Sequence, residues 1–166
     1  MFKIALSLIL ASISLFGDKF ILIDLELQMG YAYEDGNLVM SGRVSTGKKN
    51  HRTPAGSYSV IDKERYHISN LWPKPNGGAK MDYMLRLTND GLAMHLGKVP
   101  RRPASHGCIR LKNGFAQKLW RWADINTDVE ISGYVKESYK KKRVRVRKKR
   151  YREREDFFSD NYYIEN

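Results

Sequence analysis

The chain of 166 residues holds one cysteine, Cys108, inside the stretch "RPASHGCIR" at residues 102–110. His106 precedes it by two residues, Gly107 lies between them, and His95 stands thirteen residues upstream. A thiol attacks a carbonyl carbon as thiolate, so a chemical cysteine needs a base or a positive neighbour within hydrogen-bond reach. His95 and His106 are the bases available. Gly107 lets a substrate carbonyl approach the backbone, where the N–H groups of Gly107 and Cys108 could hold the negative oxygen of a tetrahedral intermediate. Arg110 adds a fixed positive charge suited to a carboxylate. His95, His106 and Cys108 could instead supply three ligands to zinc, but their spacing fits none of the common zinc patterns and no carboxylate lies close to the cysteine in sequence. Neither a metal nor another cofactor is expected. A single cysteine excludes an internal disulfide, which leaves a buried small hydrophobe, an intermolecular link or a working thiol.

The elements that must position these residues read as mainly β. "KFILIDLELQ" from Lys19 is rich in β-branched and apolar residues and predicts a first strand. The runs 30–33 and 38–44 flank Asp35-Gly36, a dipeptide suited to the positive φ angles of a tight hairpin turn. The polar loop "STGKKNHRTPAG" follows, then a strand in "SYSVID", and residues 69–80, with two prolines and a glycine pair, read as irregular. "MDYMLRL", "TNDG" and "LAMHL" predict a second hairpin that places His95 near the end of its returning strand. The loop "GKVPRRPAS" can then fold back and bring that strand end to the cysteine. Asn113 is the predicted N-cap of a helix whose apolar stripe is Phe115, Ala116, Leu119, Trp120, Trp122 and Ala123, and "TDVEISG" closes the domain with a strand. Trp72 and Tyr83 suit a substrate groove or simple packing equally. His51 and His67 read as surface or turn histidines without a partner.

The two ends differ from this body. Residues 1–17 begin with one lysine and an apolar run from Ile4 to Phe16, too short to span a bilayer comfortably and laid out as a secretory signal peptide, with an uncleaved anchor or a buried helix as alternatives. Export to the periplasm or cell envelope is the expectation. Residues 18–135 suffice for one domain with a real core. Residues 136–166 form a tail in which eleven of the fifteen residues from 140 to 154 are Lys or Arg, and that stretch accounts for most of the pI near 9.8. Such a segment is expected to be extended and solvated, with "RVRVR" as an edge strand the alternative. Its expected partners are lipid headgroups or anionic wall polymers rather than nucleic acid, or it has colloidal consequences only.

"MHLGKVPRRPASHGCIRL" closely resembles the signature of the L,D-transpeptidase family with the YkuD-type catalytic domain, in which an upstream histidine precedes Ser/Thr-His-Gly-Cys. Here these are His95 and then Ser105, His106, Gly107 and Cys108, followed by Ile109, Arg110 and Leu111. The resemblance extends over residues 20–133, through the Ser-Thr-Gly that ends at Gly47 and the Thr-Pro-x-Gly that ends at Gly56. It implies an L,D-transpeptidase-like β-sandwich with one helix after the cysteine, and an exported enzyme acting on peptidoglycan stem peptides. Cys108 would attack the carbonyl of the third residue of a tetrapeptide stem, release D-alanine and form a thioester. An amine would then take the acyl group, giving a 3-3 cross-link or lipoprotein attachment, or water would take it in an L,D-carboxypeptidase. A non-catalytic wall-binding module is the third alternative. By the same resemblance His95 activates Cys108 and protonates the leaving amine, and His106 and Gly107 shape the pocket. Ser105 and Arg110 brace the loop or hold a substrate carboxylate, with Tyr83 as a further substrate-binding candidate. Many members carry glycine or a small hydroxyl residue directly after the upstream histidine. Leu96 stands there in this chain, which leaves a backbone carbonyl to orient His95.

Overall fold

The computed structural model describes residues 18–135 apart from residue 74. The expected signal segment and basic tail, including the "RVRVR" alternative, lie outside the described residues. One compact unit ends at Gly133, and the elements below are those of its described residues.

Nine strands and one helix appear in the order β1 Lys19–Asp24, β2 Met29–Glu34, β3 Asn37–Ser45, β4 Gly56–Ser59, β5 Asp62–Glu64, β6 Met84–Arg86, β7 Ala93–Leu96, β8 Ile109–Leu111, α1 Phe115–Trp122 and β9 Asp128–Ser132. They form one nine-stranded sheet ordered β4-β9-β1-β2-β3-β8-β7-β6-β5. The edge strands β4 and β5 are therefore consecutive in sequence, separated by Val60 and Ile61 alone. A sheet whose two edges are joined by so short a link must curl on itself. The link is fixed from both sides, since the Val60 N–H donates to Thr127 O at 3.0 Å and the Ile61 N–H to Arg86 O at 2.9 Å. The expected sandwich is thus two faces of a single curled sheet. Its join is β3, whose early residues pair with β2 and whose Val44 and Ser45 pair with Leu111 and Arg110 of β8.

The mainly β reading with one helix after the cysteine holds, and local chemistry explains the departures. The first strand stops at Asp24 rather than continuing to Gln28, because Asp24 Oδ1 accepts the N–H groups of Glu26 and Leu27, both at 2.8 Å, and turns the chain. "SYSVID" splits into β4 and β5 at the crossing between sheet edges. "MDYMLRL" is strand only over Met84–Arg86, since Tyr83 has a φ of 54° outside the strand region. Asp35 and Gly36 take the expected positive φ values of 52° and 75°. The N-cap is Gly114 and not Asn113, whose Oδ1 instead accepts the Gly114 N–H at 3.0 Å.

Alternation buries one face of β1, β2, β8 and β9. Ile21, Ile23, Ile131, Met94, Ile109 and Leu111 are fully buried, together with Leu119 from the helix. The last carbonyls of α1 are closed by two lysines: Lys19 Nζ donates to Trp122 O at 2.8 Å, and Lys63 Nζ donates to Ala123 O. Cations there also complement the helix dipole.

Candidate active site

Two parallel strands bring the histidine to the cysteine. β7 and β8 pair with Met94 opposite Ile109, His95 opposite Arg110 and Leu96 opposite Leu111. Alternation sends Met94, Ile109 and Leu111 into the core and turns His95 and Arg110 to the other face. Cys108, one residue before β8, shares that face and lies on the diagonal from His95. The fold-back of residues 97–105 makes the parallel pairing, since the Gly97 N–H donates to Leu111 O at 3.1 Å.

His95 is buried, with 7 % of its surface exposed. Its Nδ1 lies 2.8 Å from the Leu96 carbonyl oxygen. A carbonyl only accepts, so Nδ1 carries the proton and Nε2 keeps its lone pair for the cleft. The orienting third group is thus a backbone carbonyl, that of the same Leu96 whose side chain departs from the family pattern. Burial pushes the His95 pKa below the ordinary value, against the opposing pull of the Leu96 hydrogen bond, and Arg110 lowers it further. Burial also pushes the Cys108 thiol up, while the Ala93 amide, Arg110 and its own amide pull it back only in part. Sγ points to Gly91 O at 3.4 Å. Both shifts favour the uncharged forms, thiol and imidazole. The arrangement suits proton transfer from sulfur to Nε2 as attack begins.

The loop bearing the cysteine is stitched to the loop after β3. Thr46 O accepts the N–H groups of Ala104 and Ser105, each at 3.0 Å, and the Lys48 N–H donates to Ser105 O at 3.1 Å. Thr53 Oγ1 accepts the Gly47 N–H at 2.8 Å and donates to Gly107 O at 2.5 Å. Gly47 has no alternative, because a Cβ there would sit 1.8 Å from His51 O. Ser105 is buried, and its Oγ donates to Cys108 O and accepts the Gly107 N–H at 3.2 Å, so it braces the loop. Gly107 itself has a φ of 123°, and a Cβ there would meet nothing within 4 Å. Glycine is demanded by backbone conformation, and its bare face leaves open space beside the sulfur.

Cys108, His95, Ser105, His106, Gly107 and Arg110 all line one cleft of about 400 Å³. Its opposite wall comes from the irregular segment, with Leu71 and Trp72. Trp72 stacks on the His106 ring with centroids 3.7 Å apart, and His51 meets the same ring edge-on at 4.9 Å. Lys48 Nζ is 2.9 Å from His106 Nε2. Burial and then Lys48 lower the His106 pKa. Tyr83 is placed elsewhere: its ring packs edge-on against Trp120 at 5.9 Å and does not line the cleft. His51 and His67 do have partners, since His67 Nδ1 is 2.9 Å from Glu64 Oε2. Among the described residues no three His, Cys, Asp or Glu side chains gather as a metal site. Thr46, Thr53 and Lys48 had no role in the sequence reading. Gly47 and Thr53 sit in the two quoted motifs, but the residues of the cysteine loop that they meet, Ser105 and Gly107, are more than fifty residues away.

The chain is 33% identical over 99 residues to the probable L,D-transpeptidase 3 of Mycobacterium tuberculosis, covering 52% of this chain and 36% of that protein. The crystal structure of an L,D-transpeptidase from Stackebrandtia nassauensis superposes with a TM-score of 0.64 at 25% identity, over 71% of this chain and 57% of that one. The L,D-transpeptidase LdtMt1 in complex with imipenem gives a TM-score of 0.64 at 20% identity, over 70% and 59%. The match thus spans about a third of the curated relative and under two thirds of these solved chains. The family model of the YkuD L,D-transpeptidase catalytic domain fits residues 18–131, the whole curled sheet up to Ile131 in β9, and the chain belongs to that family.

Proposed function

We propose that the protein is a peptidoglycan L,D-transpeptidase in which Cys108 is the nucleophile and His95 the acid–base partner. One observation carries the reading: a buried imidazole, its tautomer set by Leu96 O, shares a cleft with the chain's one thiol across a parallel strand pair. In the first step Sγ bonds to the carbonyl carbon of the third residue of a tetrapeptide stem while its proton passes to His95 Nε2. The tetrahedral oxygen takes hydrogen bonds from the loop amides of Gly107 and Cys108, the former turning from Ser105 Oγ. The C–N bond then breaks, His95 returns the proton to the departing nitrogen, and D-alanine leaves behind a thioester. An acceptor amine attacks that thioester, His95 takes its proton, the C–S bond breaks, and His95 passes that proton to the departing sulfur, which restores the thiol and the neutral imidazole. Burial of both resting groups supports proton transfer coupled to attack and disfavours a preformed ion pair.

Incubation with purified tetrapeptide stems, followed by product identification, tests the reading. Release of D-alanine with accumulation of stem dimers is the expected result. Tripeptides without dimers would make the enzyme an L,D-carboxypeptidase. No turnover, with retention of the chain on sacculi, would make it a wall-binding module and contradict the proposal. Action outside the cytoplasm, directed by residues 1–17, belongs to the same proposal. So does retention on anionic wall polymers or lipid headgroups by the cationic residues 140–154, which salt should abolish. A chain cut after Tyr134 that binds sacculi or anionic vesicles equally well at low salt would remove that part.

A further inference from the structure

The Lys48–His106 pair has no part in the chemistry above, and its hydrogen bonding is unusual. An ammonium group only donates, so at 2.9 Å His106 Nε2 must be the acceptor and the ring proton sits on Nδ1. That Nδ1 is buried and has no hydrogen-bond partner among the described residues. An unpaired buried donor is unfavourable, so an arrangement that spends the accepting nitrogen on an exposed lysine calls for a reason. Trp72 stacked at 3.7 Å keeps the ring in that plane.

Lys48 is equally constrained from its other side. Its backbone N–H is bonded to Ser105 O, Gly47 forms a bridge with Ser105, and Thr53 ties the same turn to Gly107 O. The ammonium thereby lies beside the cysteine loop, at the Nε2 edge of the His106 ring, which itself lines the cleft. Its partner there is a neutral imidazole rather than a carboxylate, and a cation so held exchanges readily to an incoming anion. Asp90, an exposed turn residue, is the one acid lining the cleft.

We infer that Lys48 is a substrate-specificity residue whose ammonium, positioned at the cleft rim by His106, receives a carboxylate of the donor peptide next to the scissile bond. The inference rests on the donor-stem reading above. A stem offers that chemistry in two places: the α-carboxylate of the departing residue, and a side-chain carboxylate on the third residue. The first would make Lys48 a gauge of stem length, since a further residue removes that carboxylate from reach. The second would make it a reader of the third residue's identity.

The test compares three donors: a tetrapeptide whose third residue carries a side-chain carboxylate, its C-terminal amide, and the stem amidated on the third residue. With the wild type, amidation at one position is expected to lower kcat/KM about 10- to 100-fold, chiefly through KM. The sensitive position identifies the source. In Lys48→Met the free acid should fall to the level of the amide, collapsing the ratio toward one, while Lys48→Arg keeps it. His106→Phe retains a ring for Trp72 but removes the acceptor, and should weaken the preference in the same direction. Turnover in Lys48→Met with the wild-type ratio at both positions would overturn the inference and leave the donor-stem reading intact. Absence of D-alanine release from every donor by the wild type would overturn both.

Discussion

Around α1 and β9 the chain is held by hydrocarbon, with Leu119, Ile131, Ile21 and Ile23 leaving no exposed surface. Around Cys108 it is held by hydrogen bonds: Thr46 O to two loop amides, Thr53 Oγ1 between Gly47 and Gly107, and Ser105 Oγ between Gly107 and Cys108. Hydrophobic burial is non-directional and tolerates small shifts, whereas hydrogen bonds fix atoms to within tenths of an ångström. The first region should therefore set stability and the second should set rate.

The largest separation is expected for Cys108→Ala, which should lower D-alanine release by about 10⁴-fold or more with little change in Tm. On the other side, Ile131→Ala removes a fully buried side chain and should cost about 2–5 kcal/mol by denaturant unfolding. Its kcat at a temperature where it stays folded should remain near the wild-type value. Gly107→Ala forces a side chain onto a φ of 123° and should cost about 1–3 kcal/mol of strain. Relaxation of that loop would appear as a fall in acylation rate larger than the fall in stability. Thr53→Val deletes both bonds of Oγ1 and should lower stability by about 1–3 kcal/mol, with a lower rate through displacement of Gly107. A Thr53→Val enzyme with unchanged acylation kinetics would undo the distinction between the two regions.

The smallest effect concerns pH. His95 is held below the ordinary histidine value of 6.5, so on acidification the unfolded chain takes up a proton before the folded one does. Its contribution to stability is present above 6.5 and is lost as pH falls through 6.5 toward the folded pKa. The acylation rate should hold in that same interval, because the folded His95 stays neutral. For Cys108 the sign reverses: its raised pKa means that alkylation by iodoacetamide at pH 8 should be slower than for a free cysteine.

Local signals were legible in the sequence. Asp35-Gly36 announced its turn, the apolar stripe from Phe115 announced α1, the residues around Cys108 pointed to a cysteine–histidine arrangement, and the family resemblance, with Leu96 departing from its pattern, implied a backbone carbonyl behind His95. What escaped was non-local. No pattern within "SYSVID" reveals that the chain crosses between sheet edges at Val60, and nothing local announces that Tyr83 packs on Trp120 of the helix. The ties of Thr53 to Gly107 and of Lys48 to His106 link residues 54 and 58 positions apart. The Glu64 partner of His67 and the Asp24 turn were within three residues and had readable precedents in an i,i+3 pair and an Asx turn.

Intact-mass analysis with peptide mapping after incubation with imipenem, the compound bound in the LdtMt1 structure, tests the central claim most directly. One adduct per chain is expected, located on the peptide containing Cys108, absent from Cys108→Ala and formed much more slowly in His95→Gln. An unmodified wild-type mass, or an adduct that persists in Cys108→Ala, would contradict it.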